Sequence, residues 1–433
     1  MPRSVIQRLA ACAAIASVPL LLYWPAGSAW FFEDDLQWLA GTLTFEPATL
    51  LDLSAHEHFY RPVISLYFWA ATPLFGGSPA LFHWANTVLH AVNALLVYLL
   101  AGAVGFKPRF AFFAAVVFAS MPAYIEAVAW VSALAEPVTT FFGLLSVYTL
   151  LVARRQGAAA WKGGSVASFV MALVTHESAA VLLPLLIIAD WAFVRSPGES
   201  PAPLWRELGA RARRFAPHAV LLAGYLLIDV TVNSRSYLVQ EGHYRLGFHA
   251  VGNLLGYVVM LYAGERGLPS YFTVGLVVAL LLVRGTPRVV FATAWLVLSI
   301  LPFAFFTWSM TSRYAYMPAV GLAFLLAEGL GWLDARLARL ANRGARLALV
   351  TGIGVFVVVR FMLFAAENIR NFTERTEPYR AFAALVRQQH PSPPPGTRIP
   401  VDARTADALQ TRYLEALVQW VFRDPTLTVE VQP

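Results

Sequence analysis

Three consecutive carboxylates, Glu33, Asp34 and Asp35, lie in the stretch Phe31-Phe32-Glu33-Asp34-Asp35-Leu36-Gln37-Trp38, just past the first apolar segment of the chain. Ionisable groups are costly in or near a bilayer and mark function there. Flanking aromatics suit the membrane–water interface. Adjacent carboxylates raise one another's affinity for a proton unequally, so one can stay ionised and act as a general base. A solvated loop carrying a few acids would look the same from this stretch alone, so the other charged residues have to decide.

The remaining polar residues are His56, His58, Tyr60, Arg61, Glu126, Glu136, His176, Glu177, Arg235, Arg245 and Arg313. Guanidinium binds phosphate through two parallel donors. A carboxylate base and an arginine phosphate clamp, opening together to a bilayer, suit group transfer from a phosphorylated lipid. Several of these residues have plainer readings. Glu126 and Glu136 are placed to solvate helix ends, and His176-Glu177 to form a polar hairpin turn. His83, Asn86, His90 and Asn93 recur at i, i+3, i+7 and i+10, a stripe that favours hydrogen bonds between helices over a ligand set. Glu241, His243 and His249 have no spacing that singles out a metal. The single cysteine, Cys12, excludes an internal disulfide and a cysteine metal site.

The elements that must position these groups are membrane helices. The 433 residues are 58% hydrophobic and only 13% charged, with mean hydropathy +0.60. Soluble domains carry about 25% charged residues, and the apolar runs here approach the ~20 residues of a membrane span. The net charge of +7 is mostly arginine in short loops. That pattern is a topology signal and not a nucleic-acid surface. Ala26-Gly27-Ser28-Ala29 resembles a signal-peptidase site, but the preceding apolar run is long for a signal peptide and reads as an uncleaved first span.

Spans are expected at about 5–24, 84–104, 110–121, 137–152, 164–175, 179–194, 217–232, 271–283, 289–307, 315–333 and 347–365, with an interfacial helix at 63–74. The two arginine loops at 195–214 and 336–346 should share the cytoplasmic side. Five apolar segments separate them, so one does not cross. The weakest is 249–264, with His249, Gly252, Asn253 and Gly256, which reads as re-entrant or interfacial. About eleven spans remain, with the N-terminus cytoplasmic and the C-terminus outside. On this topology the polar residues named above share the outer face, while the inner face carries mainly arginine. Residues 1–366 form the transmembrane domain and 367–433 a small soluble tail, with helices at 374–389 and 405–422, a turn at 391–396 and a strand at 427–431.

Phe31-Phe32-Glu33-Asp34-Asp35 is similar to the acidic motif of membrane glycosyltransferases of the GT-C fold, among them the protein O-mannosyltransferases and the aminoarabinose transferases of lipid A. Four further stretches follow in order: His58-Phe59-Tyr60-Arg61-Pro62-Val63, Phe82-His83-Trp84-Ala85-Asn86-Thr87-Val88-Leu89-His90-Ala91, Ile125-Glu126-Ala127-Val128-Ala129-Trp130 and Ser312-Arg313-Tyr314-Ala315-Tyr316-Met317-Pro318. Together they most resemble the transmembrane and tetratricopeptide-repeat O-mannosyltransferases and their bacterial relatives, over about residues 30–320, but the repeats are replaced by the short tail.

The resemblance implies an all-α GT-C-type bundle and a polyprenyl-phosphate sugar as donor. It also implies a protein, lipid or glycan acceptor and inversion at the anomeric carbon, at an outer-face site in a bacterial inner membrane. Asp34 or Asp35 would be catalytic, Asp34 being favoured because the first acid is the usual base. Glu33, Tyr60, Arg61, Glu126, His176, Glu177, Arg245, Arg313 and Tyr314 would bind substrate. The resemblance fixes no cofactor, and the acids leave room for a divalent cation. The competing classes are a flippase or transporter, which favours internal repeats and charges at mid-membrane; an O-antigen polymerase or ligase; and a non-catalytic assembly factor that would tolerate loss of the acids.

The arginine loops make the topology testable. A reporter active only outside the cytoplasm is expected to be active when fused after Asn371 and silent when fused after Asn342. The reverse pattern would move every candidate site residue to the other face.

Overall fold

The computed structural model describes residues 3–55, 59–194, 204–263, 268–308, 310–340 and 342–432. His56, His58, Arg195 and Ser309 lie outside the described residues. In chain order the helices begin with α1 (Arg3–Leu22), α2 (Asp34–Gly41), α3 (Pro62–Phe75), α4 (Pro79–Ala103), α5 (Pro108–Ser120) and α6 (Ile125–Ala129). There follow α7 (Ala135–Gln156), α8 (Ala159–Leu173), α9 (Leu182–Phe193), α10 (Leu204–Asn233), α11 (Tyr237–Gln240), α12 (His249–Ala263) and α13 (Leu268–Arg284). The last are α14 (Pro287–Ala304), α15 (Tyr316–Leu337), α16 (Arg343–Gln389), α17 (Ala403–Leu409) and α18 (Thr411–Phe422). Two strands, β1 (Arg398–Asp402) and β2 (Thr428–Gln432), pair in parallel, with Pro400 opposite Glu430.

Local chemistry sets the ends. Pro62, Pro79, Pro108 and Pro287 open α3, α4, α5 and α14, where a missing N–H costs nothing and the ring presets φ. Gly157, at φ 71°, closes α7, a conformation a β-carbon resists. A β-carbon on Gly321 of α15 would sit 2.5 Å from the Ala292 carbonyl oxygen of α14, so these two helices touch backbone to backbone, as small residues allow in membrane bundles.

The chain is a multi-pass helical membrane protein. Among the described residues, eight helical stretches are long and apolar enough to cross a bilayer, fewer than the eleven expected. The shortfall is at α8, α9 and α13, with 15, 12 and 17 residues. At 1.5 Å per residue these reach only about 18–25 Å, short of a ~30 Å hydrocarbon core. Of the segment at 249–264, the described residues form α12, His249–Ala263.

Both ends of the bundle carry charge. Buried Asp334 on α15 pairs with Arg109 and, at 3.6 Å, with Arg346. Buried Asp190 on α9 takes Arg154 at 2.9 Å and Arg214. Glu328 takes Arg288 at 2.8 Å. Each of these acids lies in an apolar helix, with its arginine partners on other helices. A buried carboxylate so paired resists separation, because losing one partner strands the other's charge.

The tail joins the bundle without a break. α16 is a single helix of 47 residues, about 70 Å long, so the 366/367 boundary falls inside it. The helix expected at 405–422 is two, divided at Gln410 with φ 60°. β1 was not expected, since Pro400 sits at its centre. Proline is confined to sheet edges, and this sheet has only two strands.

Candidate active site

The acidic triplet starts a helix. Glu33 adopts φ 45° and ψ −115° at the N-cap of α2, a strained turn for a residue with a β-carbon. It sends the next two carboxylates apart. Asp35 is 0% exposed. Its Oδ2 accepts from the Phe32 N–H at 3.0 Å and its Oδ1 from the Ser132 N–H at 2.6 Å. Burial pushes its carboxyl up to about 8, against the pull of those donors. Asp34 is half-buried, its Oδ1 accepting from the Tyr413 hydroxyl at 3.0 Å.

Phe32 is the hub that seats this turn. Its carbonyl accepts from Trp130 Nε1 at 3.0 Å. Its ring meets Trp130, Phe372 and Tyr379 edge-on at 5.5, 5.8 and 5.5 Å, and the Arg375 guanidinium lies over it at 4.8 Å. The Trp30 N–H donates to Thr376 Oγ1 at 2.9 Å. Glu33, beside Asp34, has its carboxyl raised by burial and by that neighbour, while Arg375 and Arg313 pull it down.

The cations differ in what they have left to offer. Arg61 is committed to Glu177 through two bonds, of 3.1 and 2.6 Å. Arg375 pairs with Glu126 at 3.6 Å. Arg313 is held by two aromatic faces, Trp130 at 4.9 Å and Tyr314 at 5.0 Å. Among the described residues it has no carboxylate within ion-pair distance, yet it lies within electrostatic reach of Asp34 and Glu126. Tyr314 stacks flat on Phe303, centroids 4.0 Å apart.

A second polar group lies beyond Arg313. The His176 Nδ1 accepts from the Ser178 N–H at 3.2 Å, which leaves Nε2 to carry the proton toward Glu136 at 3.4 Å. Burial and the nearby Arg61 lower the imidazole to about 3, so it is neutral. Burial opposes the charge on Glu177, but Arg61 overcomes it and holds that carboxyl well below the usual range.

Of the expected residues, Glu33, Asp34, Glu126 and Arg313 come together, and Arg61, His176, Glu177 and Tyr314 adjoin them. Tyr60 packs half-buried against the core. Arg245 does not join: it is exposed, and its backbone N–H bonds to the Phe305 carbonyl. The polar stripe on α4 ties helices together. His90 meets the Tyr316 hydroxyl at 2.8 Å, and Asn93 donates to the Pro137 carbonyl at 2.9 Å. Among the described residues no three His, Cys, Asp or Glu side chains are grouped to hold a metal. Each oxygen of Asp35 accepts one backbone N–H.

Sequence reading missed Arg375, Arg412 and Tyr413. A signal for the first exists: Phe372, Arg375, Thr376 and Tyr379 recur at i, i+3, i+4 and i+7, one face of a helix.

No family model matches this chain, and no curated protein matches it. Solved structures do. The crystal structure of ArnT from Cupriavidus metallidurans bound to undecaprenyl phosphate aligns over 96% of this chain and 85% of that one, at 15% identity and TM-score 0.57. The Archaeoglobus fulgidus oligosaccharyltransferase in complex with Zn and sulfate aligns at 13% identity and TM-score 0.58. The Archaeoglobus fulgidus oligosaccharyltransferase AglB with an inhibitory peptide and a dolichol-phosphate aligns at 12% and 0.57. These two matches cover 98% and 100% of this chain, which spans 62% and 65% of theirs. The fold is GT-C.

The neutral His176 makes stability depend on pH. Its folded value lies below its unfolded one, so the unfolded chain binds more protons between about 6.5 and 3, and stability falls as pH drops through that window. Asp35, raised from 3.8 to about 8, acts in the opposite direction, so the measurement is a difference. In detergent, His176→Asn is expected to gain melting temperature relative to the parent protein as pH falls from 7 to 4. A constant offset between the two would refute the assignment.

Proposed function

We propose that this chain is a membrane glycosyltransferase that moves a sugar from a polyprenyl phosphate to an acceptor hydroxyl at the end of the bundle bearing Asp34. The observation that carries the reading is one available carboxylate, Asp34, within electrostatic reach of one guanidinium, Arg313, that has no carboxylate partner among the described residues, beside the matched pairs Arg61–Glu177 and Arg375–Glu126. Asp34 takes the acceptor's proton as its oxygen attacks the anomeric carbon. The bond from that carbon to the phosphate oxygen breaks, and Arg313 stabilises the charge gathering on the leaving phosphate. Attack opposite the leaving group inverts the centre.

The fold supports this, since the compared structures hold undecaprenyl phosphate and dolichol-phosphate. The finer assignments rest on the five motifs in order. They are a hexosyl or mannosyl donor of the O-mannosyltransferase type, a protein, lipid or glycan acceptor, and an outer-face site in a bacterial inner membrane. Residues 1–366 would then supply the membrane site and 367–433 its outer cover. Asp35 serves by position, because its oxygens hold backbone.

Two substitutions test the roles in membranes supplied with labelled polyprenyl-phosphate sugar. Asp34→Asn keeps shape and removes the basic oxygen, so transfer should fall by about 10²-fold or more, with donor binding retained. Transfer at the parent rate would remove the base and with it the reading. Arg313→Lys should weaken donor use, since an ammonium reproduces neither the planar two-point contact nor the stacking on Trp130. Unchanged donor affinity in Arg313→Ala would pass the phosphate role to another arginine.

A further inference from the structure

The hydroxyl that reaches Asp34 comes from the far end of the chain. Tyr413 is 3% exposed, and its O–H donates to Asp34 Oδ1 at 3.0 Å. Its oxygen in turn accepts from Arg412 Nη2 at 2.8 Å, with the guanidinium also 4.5 Å from the ring centroid. The three groups form a directed relay in which a cation polarises a phenol and the phenol donates to the carboxylate. Donation to a carboxylate favours its ionised form, and a bond to one oxygen leaves the other to receive a proton.

We propose that Tyr413, backed by Arg412, is a positioning residue that aims Asp34 and donates to its carboxylate form. This rests on Asp34 acting as the base. The demand is plain from its surroundings. Glu33 and Asp35 flank it on α2. Arg375 and Tyr379 face the same cluster from α16, Arg313 from the start of α15, Tyr237 from α11, and Arg412 with Tyr413 from α18. Among the described residues no charged donor is within ion-pair distance of Asp34. Tyr413 is the donor that touches it.

α18 is docked independently of that hydroxyl. Trp420 meets Phe31 edge-on at 6.2 Å, and in the preceding α17 the Leu409 carbonyl accepts from the Tyr379 hydroxyl of α16 at 3.3 Å. Removing a single oxygen should therefore leave the fold in place, and Tyr413→Phe separates positioning from packing.

In Tyr413→Phe, kcat at neutral pH is expected to fall about tenfold, the scale of a hydrogen bond to a charged group, with donor KM unchanged. The acid limb of the kcat profile should move up by about one pH unit. Arg412→Gln, on the exposed side, should move it the same way by less. A second reading needs no turnover: carbodiimide labelling of Asp34, quantified on its peptide by mass spectrometry across pH, should shift its midpoint upward in both variants. An acid limb or a labelling midpoint identical to the parent's in Tyr413→Phe overturns the proposal, whatever the loss of rate. If the parent protein transfers no sugar from any polyprenyl phosphate while the labelling still shifts, the transferase reading fails and the Tyr413 contact stands. A merely structural latch would lower rate uniformly and move neither midpoint.

Discussion

The Asp35 carboxyl is the constraint on which the rest of the site depends. It joins two backbone N–H groups a hundred residues apart in sequence, those of Phe32 and Ser132. The Trp130 indole completes the clamp on the Phe32 carbonyl, and Asn86 of α4 holds the Trp130 carbonyl at 3.2 Å. These bonds are worth about 1 kcal/mol each, more where the acceptor is ionised. Together they offset the ~1–3 kcal/mol of a strained turn such as that at Glu33. Because Asp35 is pinned, the helix that begins at Asp34 has a set start and direction. Asp34 then points away from the core. The buried member of the pair, raised by its burial, carries the proton more readily, which separates the duties of two chemically identical neighbours.

Pairing divides the two ends of the bundle into different kinds of place. At the end with Asp190, Glu328 and Asp334, each acid is buried and each is gripped by arginines from other helices. These contacts of three acids with five arginines lock α5, α7, α9, α10, α14, α15 and α16. At the other end the pairing is incomplete. Arg61 with Glu177 and Arg375 with Glu126 are matched, and the neutral His176 lies against Glu136. Arg313 is left on aromatic faces with its charge unmatched by a close carboxylate. An uncommitted cation beside a half-buried acid is a poor way to stabilise a fold and a good way to receive an anion.

Most of the helices were legible because a chain with so little charge announces its apolar runs, and α4, α5, α7, α14, α15 and the first half of α16 fall where those runs do. The short α8 and α9 were read as spans because hydropathy does not report where a polar turn bites into a helix. The hairpin at His176-Glu177 takes residues from both. Among site residues, Asp34, Glu126 and Arg313 could be found because acids and arginines are scarce near apolar segments. Which of Asp34 and Asp35 is free could not be. Adjacent helical residues point ~100° apart, and the choice was made by Ser132, which nothing in the local pattern indicates.

The tail was the least legible part, and for a physical reason. Its composition is that of a small soluble unit, and its polar residues look solvated when read in isolation. Only because α16 continues unbroken from the membrane does the tail have a defined height and angle above α2. A long helix transmits geometry over distance at little entropic cost, since its residues are ordered by their own backbone bonds. The stripe Phe372, Arg375, Thr376 and Tyr379 then meets Phe32 and Trp30, and α18 can lay Trp420 on Phe31 and Tyr413 on Asp34 in the same register, seven residues apart on one face. The acid motif near one end of the chain and the helix near the other thus form one structural unit. The carboxylate near the start of the chain accepts its hydrogen bond from the last helix of the chain among the described residues.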